Sequence, residues 1–161
     1  MKVMPPAEVF DVLDFAIGLD WPLSRDEVQK LAAERFGWTI ETEDGKNYLV
    51  NTVAALTHSD VRTIDVKGQV YSMNFRVTDT TPPPTPELTA FLSDQFALLV
   101  REGVRRWGKQ TMNHGQDATR ASWHVSGDGR VSFSLLERSV SAFFRTPQGV
   151  ESDRKAAFYG V

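Results

Sequence analysis

The stretch Gly103-Val104-Arg105-Arg106-Trp107-Gly108-Lys109-Gln110 has the glycine and lysine spacing of a phosphate-binding loop. Such a loop needs a Ser or Thr after the lysine to hold magnesium, and Gln110 stands there. It must also open a helix, so that backbone N–H groups face the phosphate. This stretch closes a helix instead and presents carbonyls. It reads as a glycine stop, with basic residues complementing the helix dipole. The three histidines, His58, His114 and His124, have gaps that match no zinc pattern, and no HExxH is present. His114 falls in a polar loop, and His124 is exposed or on a sheet face.

A serine nucleophile needs a base within hydrogen-bond reach, and no GxSxG marks one. The paired carboxylates Asp11/Asp14 and Glu41/Glu43 lie on solvated faces, whereas acid–base work needs a pKa shifted by burial or neighbours. Glu137-Arg138, between two apolar strands, marks a turn or an edge. These residues lead us to expect no catalytic set, no metal and no cofactor.

The elements that would position any site are clearer. Pro6 suits the first turn of a helix ending near Ile17, with Gly18 as a left-handed stop. Val9, Phe10, Leu13, Ala16 and Ile17 form its apolar stripe. Ser24-Arg25-Asp26-Glu27 is a capping box, and Leu23 with Val28 makes a hydrophobic staple. Val28, Leu31, Ala32 and Phe36 line that second helix, and Gly37 ends it.

After Gly37 the period changes to alternation, with Trp38 and Ile40 inward and Glu41 and Glu43 outward. Asp44-Gly45 makes a hairpin turn. Residues 51–60 read as a loop, Val61–Val66 as a strand, and Lys67-Gly68 as a turn. Val70–Thr78 is a half-buried strand with Tyr71, Met73, Phe75 and Val77 inward. A Pro-rich connector spans residues 79–86. Thr85 and Pro86 then open a helix of ~34 Å reaching Trp107, with Leu88, Phe91, Leu92, Gln95, Leu99, Val104 and Trp107 inward.

Lys109–Thr119 reads as a loop. Three strands follow, Arg120–Val125, Arg130–Leu136 and Ser139–Thr146, the first two joined by Gly127-Asp128-Gly129. Residues 148–161 form a polar tail that contains Phe158 and Tyr159. The four tryptophans close elements or sit in apolar patterns and belong to the core. Runs of adjacent strands imply hairpins. The expected fold is therefore one α+β domain over 1–161. It has an antiparallel sheet of about six to seven strands, with two N-terminal helices and one long central helix packed on it.

A chain of 161 residues at 41% hydrophobic can bury a core unaided. With no cysteine it holds no disulfide, thiolate metal site or thiol nucleophile. We expect a cytoplasmic protein: no apolar run approaches the ~20 residues that span a bilayer, and Met1–Phe10 lacks the make-up of a signal peptide. Residues 1–60 hold 5 Lys/Arg against 11 Asp/Glu, and residues 61–161 hold 13 against 10, so net charges of -6 and +3 divide the chain. The acidic half argues against nucleic acid as the partner; it reads first as a solvated face and second as a surface that attracts a basic protein. The Glu41, Glu43 and Asp44 cluster is the first candidate contact, and Phe158 with Tyr159 the second.

The combination "LDWPLSRDEVQKLAAERFGWTI", "FRVTD", "RRWGKQT" and "RASWHV…GDGRVSFSLLERSVSAFF" resembles small actinomycete proteins of uncharacterised families. Some of these are similar to immunity proteins of secreted polymorphic toxins, often linked to type VII secretion. The resemblance implies a stoichiometric protein partner, a cognate toxin, and no reaction; it assigns no site residues. A secretion chaperone or adaptor is the alternative, and an enzyme with a dispersed site the third reading.

Overall fold

The computed structural model describes residues 1–80 and 82–160. Helix α1 (Pro6–Ile17) starts on its proline as expected, but Gly18 keeps a right-handed conformation (φ -81°), so no left-handed stop forms there. Helix α2 (Arg25–Phe36) has the full capping box: Ser24 Oγ accepts from Glu27 N at 3.2 Å, and Glu27 Oε1 accepts from Ser24 N at 3.3 Å. Gly37, at φ 73°, ends it in the left-handed region that glycine tolerates.

Strands β1 (Thr39–Glu43) and β2 (Lys46–Val50) form a hairpin about Asp44-Gly45, both at positive φ. Strands β3 (Asp60–Val66) and β4 (Gln69–Arg76) form the next hairpin. Helix α3 (Pro86–Trp107) is capped by Thr85 Oγ1, which accepts from Leu88 N at 3.3 Å. Strands β5 (Thr111–His114), β6 (Ala118–His124), β7 (Arg130–Leu136) and β8 (Val140–Arg145) follow, with a short 3-10 turn, Ser126–Asp128, between β6 and β7. Helix α4 (Pro147–Tyr159) is capped by Thr146 Oγ1.

Besides Gly18, other expectations are corrected. The sheet has eight strands, because the loop expected at Lys109–Thr119 contains β5, whose residues are all exposed and so carry no alternating signal. His114 accordingly ends a strand. The polar tail is helical over residues 148–159 as part of α4, whose only fully buried residue is Gly149, and Val161 lies outside the described residues. Ile40 is 41% exposed, because the first hairpin projects past the core. On α3, Val104 faces solvent while Phe96 and Gly103 are buried. Within the 79–86 connector, Thr81 lies outside the described residues, and Thr85 and Pro86 belong to the α3 cap and first turn.

The sheet order is β1-β2-β3-β4-β8-β7-β6-β5, antiparallel throughout. Directly paired residues share a face, and faces alternate along each strand. One face therefore carries Leu49, Val61, Met73, Phe75, Ala142, Phe144, Phe133, Val131, Ala121 and Trp123, all buried. Against it pack α1, α2 and α3. Phe10 of α1 meets Phe133 at 5.6 Å and Trp107 of α3 at 5.5 Å between ring centres, and Trp107 meets Trp123 at 5.6 Å. No helix among the described residues is long and apolar enough to cross a membrane.

Candidate functional site

The same register places the other residues of each strand on the opposite, open face. One row reads Arg62, Asn74, Phe143, Ser132, Ser122, Thr111 across β3, β4, β8, β7, β6 and β5. The row on one side is Arg76, Ser141, Ser134, Arg120, Asn113. The row on the other side is Ile64, Ser72, Arg145, Arg130, His124. Paired side chains lie about 5 Å apart, so these rows form a continuous polar surface.

Its floor is short and its rim long. Ser132 and Ser134 are 4% and 1% exposed, and Ser72 and Ser141 are also buried. Arg62, Arg76 and Arg120 stand exposed around them. Two hollows result. One of about 280 Å³ lies between Arg62, Arg76, Asn74, Ser141 and Phe143. The other, of about 320 Å³, lies between Arg120, Arg130, Arg145, Ser72 and Ser132.

Phe143 separates the two hollows. The guanidinium of Arg120 lies 4.8 Å above its ring, and Arg120 Nε donates to Ser134 Oγ at 3.0 Å. These contacts hold the arginine flat against the sheet and leave its two terminal nitrogens unused among the described residues. Ser122 and Ser132 share a hydrogen bond at 2.9 Å. Asn74 Oδ1 is a buried acceptor with no donor.

Helix α4 covers one end of this face. Asp153 accepts from Arg145 Nη2 at 2.7 Å, from Arg145 Nε at 3.1 Å and from Arg130 Nη2 at 2.7 Å. The Arg145 hydrogen bonds, reinforced by Arg130, hold the Asp153 carboxyl below its usual range against the opposing pull of partial burial. Arg62, Arg76 and Arg120 have no ion-pair partner among the described residues. Glu102 of α3 is lowered to about 2 by hydrogen bonds from Arg105 and Arg106, and its role is structural. Asp11 and Asp14 are likewise tied up, pairing with Arg35 and Arg106.

The residues singled out from sequence fall on separate elements. Glu41, Glu43 and Asp44 are exposed on the β1–β2 hairpin, with Glu41 paired opposite Tyr48 and Glu43 opposite Lys46. Phe158 and Tyr159 are 77% and 72% exposed at the end of α4, their rings edge to face at 5.0 Å. The phosphate-loop likeness dissolves: Gly103 is buried inside α3 beneath Trp123, and Gly108 caps the helix. No group of His, Asp and Glu able to hold a metal occurs among the described residues. The arginine and serine rows were missed, because alternation shows which residues of one strand share a face and not which strands are neighbours.

Residues 7–146 match the model of a family of unknown function, DUF6301, and the chain belongs to that family. The matched region ends where α4 begins. No curated protein and no solved structure matches.

Proposed function

We propose that this chain is a non-catalytic protein-binding module, an immunity protein that occupies and blocks a cognate secreted toxin in the cytoplasm. One observation carries the reading. The sheet is sealed by three helices on one side, while its other side, beyond the end that α4 covers, is left open across β3, β4, β8, β7 and β6, furnished with arginines, small hydroxyls and one aromatic ring. Arginine and aromatic residues are the side chains enriched at protein interfaces and their hot spots. The acidic hairpin at the sheet edge and the Phe158–Tyr159 pair add a charged and an apolar contact beyond that face.

The experiment is co-expression with the product of the neighbouring gene, assayed as a toxin. Restored growth together with a stoichiometric complex on size-exclusion chromatography is the expected result. Failure to form that complex would remove the reading. Within the complex, reversing Glu41, Glu43 and Asp44 to Lys should slow association and weaken its salt dependence, with the fold intact.

A secretion chaperone or adaptor is the second reading, favoured by a different feature. β2 pairs with β3 only through Leu49–Val61 and Val50–Asp60. The hairpin then diverges and opens a cleft of about 360 Å³ between Lys46–Leu49 and Arg62–Asp65, with Arg25 and Gln29 at its base. An extended segment of a client could add there as a strand. A complex that forms without loss of the toxin's activity would select this reading.

A further inference from the structure

We propose that the open sheet face takes an acidic segment of the protein partner, whose Asp and Glu side chains engage Arg62, Arg76 and Arg120. This names the chemistry of the interface in the preceding reading and rests on it.

Charge comes first. The rows over β3, β4, β8, β7 and β6 carry Arg62, Arg76, Arg120, Arg130 and Arg145, against only Asp60 on β3 and Asp153 from α4. Asp153 is engaged by two of these arginines, which leaves three without an ion pair among the described residues, Arg62 and Arg76 in one hollow and Arg120 in the other. Every lysine-or-arginine position in these rows is an arginine, although the chain also has lysines at positions 2, 30, 46, 67, 109 and 155. A solvated face needs only charge, which lysine supplies. The planar fork of arginine matches a carboxylate with two parallel hydrogen bonds.

The fold also contains a precedent for the occupant. Helix α4 lies on the same face and places a single carboxylate, Asp153, on Arg145 through both Nε and Nη2 and on Arg130 through Nη2. The sheet thus already holds an acidic side chain presented by a polypeptide segment. The neighbouring positions repeat the donor and lack the acceptor. Arg120 is preorganised for it: Phe143 and Ser134 fix its plane and leave its terminal nitrogens open.

Asn74 lines both hollows, and its Oδ1 is a buried acceptor with no donor. A peptide carries several carboxylates on one chain and so reaches both hollows, whereas a single phosphate ion fills one.

The test uses the isotopically labelled full chain. A short glutamate-rich peptide, a lysine-rich peptide of equal length, inorganic phosphate and a single-stranded oligonucleotide are each titrated while backbone and side-chain resonances are followed. The glutamate-rich peptide should shift Asn74, Ser132, Ser141 and Phe143 saturably, and high salt should reverse the shifts. Arg62→Glu with Arg76→Glu and Arg120→Glu should weaken binding on the order of tenfold or more, and the triple glutamine variant should reproduce the loss if charge reversal disturbs folding.

Shifts elsewhere, no shifts, or tighter binding of phosphate or the oligonucleotide would overturn the proposal. In parallel, the variants are assayed against the co-expressed toxin. A toxin complex unaffected by the arginine changes overturns this inference and leaves the immunity reading intact. Peptide binding at the face without any toxin complex overturns the immunity reading and retains the acidic-segment site.

Discussion

Substituting Gly103 by alanine separates a packing glycine from a phosphate-loop glycine. An added Cβ would lie 2.6 Å from Trp123 Cη2 and 2.7 Å from Cζ2. The ring has little room to retreat: it is 3% exposed, its Nε1 donates to Gly108 O at 2.9 Å, and it packs on Trp107 and Phe133. Overpacking of this kind costs about 1–3 kcal/mol and sometimes more. Rigid ring atoms closer than van der Waals contact put it at the upper end. Alanine returns about 1 kcal/mol through helix propensity. The net loss is about 2 kcal/mol, which in a domain of this size lowers Tm by roughly 4–8 °C. Differential scanning calorimetry, with urea unfolding as the second measure, reads it directly. An unchanged or raised Tm would refute the argument and show that Trp123 yields freely. A phosphate-loop glycine would behave differently, its substitution abolishing a nucleotide-dependent Tm shift, and we expect no such shift in the wild type.

Ser24→Ala should cost about 1 kcal/mol in urea unfolding, because both halves of the capping box are formed; no loss would mean that the cap is dispensable. Phe133→Ala removes a side chain fully buried between Phe10 and Trp123 and should cost about 3–5 kcal/mol by the same measure. Asp153 has a folded pKa below its unfolded value of about 3.9, so its stabilising contribution is complete above that pH and disappears as pH falls through the folded value. Asp153→Asn should therefore lower stability at neutral pH and flatten the acid limb, with amide exchange in α4 accelerated; an unaltered acid limb would show that the Arg130 and Arg145 pairs do not hold α4 down.

Features encoded within a few residues were legible from the chain. Ser24 with Glu27, Thr85 with Pro86, Asp44-Gly45 and Lys67-Gly68 each specify a cap or turn through their own backbone chemistry, and each formed as read. Helix α4 was legible by the same rule, since Thr146-Pro147 repeats the Thr85-Pro86 signature, but so few of its residues are apolar that periodicity concealed it. Strand β5 had no signal, being exposed along its whole length at the sheet edge. The open face is non-local by construction. Arg62, Asn74, Phe143, Ser132 and Ser122 meet because β8 inserts beside β4 and β7 follows it, an order that no spacing along the chain encodes. The carboxylates of the acidic half are close in sequence, whereas the arginines converge only in the sheet.

Replacing Arg62, Arg76 and Arg120 by lysine tests whether the face reads charge or shape. Net charge, and with it the long-range field that steers an acidic partner, is unchanged. What disappears is the planar fork, and at Arg120 also the stacking on Phe143 that fixes the group in place. Encounter rates should stay near wild type while dissociation accelerates, since orientation is gained after encounter and lost with the paired hydrogen bonds. Removing well-formed bidentate contacts should weaken binding on the order of tenfold. Biosensor kinetics against an immobilised glutamate-rich peptide, at low and high salt, separate the two rates. Wild-type dissociation from the lysine variant would show that the three arginines act only as charge, and would take away the argument that links them to the geometry with which Arg145 grips Asp153.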